Sequence, residues 1–183
     1  MAEILLTSES FVKEVSSISD NLANKYIKPS IRESQDVKLK GILGDALLAK
    51  LKSLVGSGSI NQENMGKYKL LLDRCQYFLA YSTIVEVTYK VSYKIGNFGV
   101  AKSNDENLQV ASLDEITKMQ YYYESKADSC AIDLQNFLLD NRTDYPELTE
   151  NVCYKIKSNL HSAASCGIFL GGARGKGIAS KRR

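Results

Sequence analysis

The sequence predicts a mainly α protein: a helical bundle of long helices with a short β-hairpin or extended arm between two of them. Three observations carry this expectation. Proline, which helix interiors exclude, occurs only as Pro29 and Pro146 in 183 residues. Apolar residues recur three or four positions apart over long stretches, the period of one helix face. Only the stretch from Val87 to Ile95 alternates apolar and polar residues, the period of a strand.

The elements follow in chain order. Thr7 or Ser8 is placed to cap a first helix, along which Phe11, Val15, Ile18 and Leu22 share a face. Pro29 is expected to break or begin a helix, because it lacks an N–H and its ring clashes with the preceding turn. Beyond it, Leu39, Ile42 or Leu43, Ala46 or Leu47, Leu51 and Leu54 make one apolar stripe, with a bend expected at Gly41 or Gly44. Gly56 to Asn64, GSGSINQEN, reads as a flexible loop.

A strong helix is expected from about Met65 to Lys90, its core face built from Leu71, Leu72, Cys75, Phe78, Leu79, Ser82, Val85 and Tyr89. Val87, Tyr89, Val91, Tyr93 and Ile95 then switch to strand period, and glycines flank Asn97-Phe98. The clearest helix runs from about Ser112 to Asn141. Ser112 and Glu115 are spaced as a capping box, and Leu113, Ile116, Met119, Tyr123, Ala127, Cys130, Leu134 and Phe137 form its stripe. A weaker helix from Leu148 to about Ser165 precedes a tail. Residues 1–150 therefore read as one helical domain with its arm at about 91–110, and 151–183 as a C-terminal helix with a flexible basic tail.

Composition limits the functions. Apolar residues make up 44% and charged residues 25% of the chain, ordinary for a globular protein. No apolar run approaches the roughly 20 residues that span a bilayer, and MAEILLTSES lacks the pattern of a signal peptide, so no membrane partner and a cytoplasmic origin are expected. The four cysteines (Cys75, Cys130, Cys153, Cys166) contain no C-x-x-C pair and read as free thiols. Cys153, His161 and Cys166 match no zinc module and lack a fourth ligand, so no metal and no cofactor are expected.

Catalytic signatures are equally thin. The Gly175-Lys176 pair invites a phosphate-loop reading, but the first required glycine falls on Leu170 and Gly177 stands where the hydroxyl is needed. The single histidine, His161, has no partner motif, and the chain does not read as an enzyme.

Two features point to binding instead. Tyrosine is abundant, with 11 residues and no tryptophan. Tyr121, Tyr122 and Tyr123 spread around most of one helix circumference, so a single core takes one ring, and the others lie on the surface or against another molecule. The basic excess sits in the tail: Arg174, Lys176, Lys181, Arg182 and Arg183 are five of the 24 basic residues, with no acidic residue among them. The remainder, 19 basic against 21 acidic, is slightly acidic. Such a tail either contacts a nucleic-acid backbone electrostatically or is a solvated extension that orders in an assembly. A small helical nucleic-acid-binding protein acting through this tail is the alternative function.

The stretch YIKPSIRESQDVKLKGILGDALLAKL, Tyr26 to Leu51, carries a resemblance. Its Ile27, Pro29, Ile31, Gln35, Leu43, Gly44, Leu47 and Leu51 are similar to the pattern of small helical proteins encoded in tailed-phage structural modules, especially those of the Bacteroides group and the crAss-like phages. The order of long helix, glycine-containing extended segment and capped long helix also resembles them, over about residues 7–150, and the region after Pro146 departs from the pattern. The resemblance implies a head–tail connector (adaptor) protein. Copies would form a ring, usually twelve-fold, beneath the portal of the virion, extending the DNA channel toward the tail. Its partners would be the portal protein, other connector and tail proteins, and non-specifically the packaged DNA. The subunit interface is then expected at Tyr121, Tyr122 and Tyr123 and at the arm residues Gly96, Asn97, Phe98 and Gly99.

Overall fold

Leu6 and Thr7, both buried, lead the chain into its first helix, α1 (Glu9–Val15), where the Ser8 hydroxyl accepts the Phe11 N–H at 3.1 Å. The computed structural model describes residues 3–16, 18–19, 21–96, 99–102 and 112–148. After α1 come α2 (Asn24–Glu33), a π-helical segment (Ser34–Leu39), α3 (Lys40–Gly56), two short 3-10 turns and α4 (Gly66–Ser92). Strands β1 (Tyr93–Gly96) and β2 (Gly99–Lys102) pair antiparallel, Tyr93 opposite Lys102 and Gly96 opposite Gly99. Helix α5 (Leu113–Asp140) and a final 3-10 turn complete the described chain. The architecture is that of a helical bundle.

Helix α4 is the spine, and its most extensive neighbour is α5. Two apolar clusters lie along it. The first joins Leu43, Leu47 and Leu51 of α3 to Leu71, Cys75 and Leu79 of α4 and Leu134 and Leu138 of α5. The second joins Val12 of α1 and Ile27 and Ile31 of α2 to Ile84 and Val87 of α4 and Tyr123 of α5. Because helices press on α4 from several sides, its buried positions run almost around its circumference, Thr83 and Thr88 included. Burial pushes the Cys75 thiol well up from its usual range, as expected of an inert core cysteine.

Four sequence expectations need correction. Pro29 neither breaks nor begins a helix; it lies inside α2. The proline costs the helix one N–H donor close to its start, where few turns precede the ring, and the Ser30 hydroxyl donates to the Tyr26 carbonyl at 2.8 Å beside it. The alternation at Val87, Tyr89 and Val91 is helical, since α4 runs to Ser92, and Tyr89 is exposed. The segment after Gly56 is not an open loop: Ile60 of its first 3-10 turn is buried in the first cluster. Leu113 and Met119 of the α5 stripe are exposed, and Gln120 is buried between their positions.

The bend in α3 comes at Gly44, whose φ of 76° and ψ of 168° belong to a region that only glycine enters readily. The π-helical segment delivers Gln35 to the interior, where it holds the N-terminal strap. Its Oε1 accepts the Leu6 N–H at 2.8 Å and its Nε2 donates to the Ile4 carbonyl at 3.3 Å, while Gln76 donates to the Leu6 carbonyl at 3.0 Å. At the opposite end of the chain, the Tyr68 phenol donates to Glu147 and the Tyr145 phenol to the Lys67 carbonyl. These bonds fasten the segment after α5 to the start of α4.

Candidate interaction site on α5

Helix α5 begins at the expected capping box. The Ser112 hydroxyl accepts the Glu115 N–H at 3.3 Å, and the Glu115 carboxylate accepts the Ser112 N–H at 2.8 Å. This fixes the helix start and hence which side chains each flank presents. Consecutive residues differ by about 100° around a helix, so the three tyrosines take different environments. Tyr123 is buried in the second cluster and stacks on Tyr81, ring centroids 6.4 Å apart. It is taken up by the chain's own packing. Tyr121 and Tyr122 remain on the surface, 67% and 56% exposed.

These two rings mark two unlike surfaces. Beside Tyr122 are exposed Met119 and half-buried Lys126, whose ammonium lies 4.5 Å from the Tyr122 ring centroid and 5.3 Å from that of Tyr81. Its neighbour Tyr122, chiefly, raises the Lys126 pKa, so the cation is held on this face.

Tyr121 stands on the rim of a cleft of about 530 Å³ between the end of α4 and the start of α5. Val85 and Ile116 supply its apolar floor, Tyr89 and Leu113 its exposed apolar rim. One wall carries the ion pair between Lys38 and Glu86, 2.9 Å apart. Another carries Gln120, only 7% exposed, whose Nε2 finds no acceptor among the described residues. Glu124 lines the cleft as well and has no cation partner among them.

Sequence reasoning missed Gln120, Tyr89 and Leu113 as site residues. A polar residue inside an apolar stripe gives no signal in periodicity, and the cleft joins segments far apart in sequence, around Lys38, Val85 to Tyr89 and Leu113 to Glu124. The remaining candidates fall elsewhere. Gly96 and Gly99 are the closing pair of β1 and β2, while Asn97 and Phe98 lie outside the described residues. So do Arg174, Lys176, Lys181, Arg182 and Arg183, together with His161, Cys153 and Cys166. Among the described residues no group of three His, Cys, Asp or Glu side chains is placed to hold a metal ion. No helix there is long and apolar enough to cross a membrane.

With this geometry in view, comparison with known protein families gives a match. Residues 39–158 match a family described as a family of unknown function (DUF6712). The chain belongs to DUF6712. The matched region takes in α3, α4, the strand pair and α5, and so all of the cleft except Lys38. No curated protein and no solved structure matches the chain.

Proposed function

We propose that this DUF6712 protein is a virion structural protein, a head–tail connector subunit that assembles as a ring beneath the portal. Its role is then architectural rather than catalytic. The observation that carries the reading is the presence of two unlike, exposed aromatic surfaces on one long helix, the Tyr121 cleft and the Tyr122–Lys126 face. A cyclic ring needs two different patches on each subunit, joined head to tail, and a long helix braced on a central spine presents them at a fixed angle.

The resemblance to connector proteins supplies the rest of the support, and its residues have definite structural roles here. Ile27, Ile31, Leu43, Leu47 and Leu51 are fully buried, Gln35 clamps the N-terminal strap and Gly44 makes the bend. In this reading the β1–β2 pair is the arm that reaches a neighbour through Gly96 to Gly99, and the basic tail meets a neighbouring protein or packaged DNA. The assembled protein then resides at the head–tail junction. Mass photometry and negative-stain imaging of the chain mixed with the portal protein of its own genome test the proposal. Ring-shaped particles on the portal are expected; a chain that stays monomeric and ignores the portal refutes it.

The excess of positive charge in the tail favours a second reading, nucleic-acid binding. DNA affinity would then fall steeply with salt and disappear on truncation at Gly171. Equal binding by the truncated chain would eliminate it.

A further inference from the structure

The cleft and the opposite flank of α5 fit each other's chemistry, and they cannot meet within one chain. Tyr122 and Lys126 project away from the cleft that Gln120, Tyr121 and Glu124 line, because residues two apart on a helix differ by about 200°. Within a chain, Glu124 has no cation and Lys126 no carboxylate among the described residues. Gln120 Nε2 likewise has no acceptor there, although the residue is almost wholly buried. A buried amide donor without an acceptor is costly, so the cleft calls for an occupant carrying an apolar body and an oxygen acceptor. A tyrosine is such a group.

The geometry points to a second copy of this chain as that occupant: its Met119–Tyr122–Lys126 face enters the cleft. The Tyr122 ring lies against Val85 and Ile116, its hydroxyl oxygen accepts the Gln120 amide, and Lys126 reaches Glu124 at the rim. The contact is head to tail, so each copy offers a cleft to one neighbour and a face to the other. This inference rests on the ring reading and names the surfaces that would make the ring.

A charge exchange tests it. Glu124→Lys and Lys126→Glu alter exposed or half-exposed side chains, and far-UV circular dichroism should show both variants folded. Each variant alone places like charges across the contact, so its self-association, measured by sedimentation velocity with and without portal, should weaken about fivefold. Mixing the two variants recreates an opposite-charge pair at every contact of an alternating ring, and wild-type association should return. Unchanged association in the single variants, or no recovery on mixing, overturns the inference while leaving a ring built through other surfaces. A wild-type chain that never self-associates, with or without portal, overturns the ring reading and this inference together.

Discussion

Replacing Gln120 with Met should move folding stability and self-association in opposite directions. Methionine keeps the length and helix preference of glutamine but removes the carboxamide. In the free chain that carboxamide is nearly buried and its Nε2 lacks an acceptor among the described residues. An unsatisfied buried donor costs about 1–3 kcal/mol, and the methionine side chain adds apolar burial beside Ile116 and Val85. The variant monomer should therefore gain about 1 kcal/mol, which raises the Tm by about 2–4 °C for a chain of this size. Association should weaken, because the hydrogen bond to the entering Tyr122 is lost. At about 1 kcal/mol for that bond the Kd should rise roughly fivefold. Urea unfolding followed by circular dichroism at low micromolar concentration measures the first quantity, and sedimentation equilibrium the second. A variant less stable than wild type would show that the amide is already satisfied in the monomer. A more stable variant that associates normally would show that nothing in the assembly uses the amide.

Two further substitutions test the fold that holds this site. Gly44→Ala should cost about 1–3 kcal/mol in urea unfolding, because φ of 76° with ψ of 168° strains any side chain; an unchanged midpoint would mean that the bend is not fixed by this residue. Tyr68→Phe removes the phenol that donates to Glu147 at 3.0 Å and should cost about 1–2 kcal/mol at neutral pH. Burial, chiefly, and the Glu147 carboxylate push the Tyr68 pKa up to about 12 from an ordinary 10. A folded-state pKa above the unfolded one means stability fully present below pH 10 and lost as pH climbs from 10 toward 12. The gap between wild type and variant should therefore narrow over that window, and a constant gap would contradict the raised Tyr68 pKa.

Much of the bundle is legible in the sequence because it is carried by strong local signals. The Ser112–Glu115 capping box sets the start of α5, and the spacing of Leu71, Cys75, Phe78 and Leu79 gives the core face of α4. What local pattern hides is where polar side chains are recruited inward. Gln35 and Gln76 look like surface residues until the strap through Leu6 is seen to need their carboxamides. Gln120 breaks an apolar stripe in sequence and yet lies inside it in space. Alternation at Val87, Tyr89 and Val91 mimics a strand because only Val87 of the three is buried, and the apolar residues Tyr89 and Val91 stand exposed at the end of α4, where they carry no helical period. The cleft itself is a product of packing: Lys38 comes from the π-helical segment, Val85 and Tyr89 from α4, and Leu113 and Ile116 from α5. Only the tyrosine run hinted at it, and it did so by spreading rings over more of the helix than one core could take.

The connector account stands on whether copies of this chain close into a ring on a portal. Electron microscopy of the chain mixed with a portal protein from the same genome reads this directly. The account predicts a ring of subunits with the symmetry of the portal, each α5 packed between two neighbours. Portal particles that carry no added density, with the chain remaining monomeric by mass photometry at the same concentration, would contradict it.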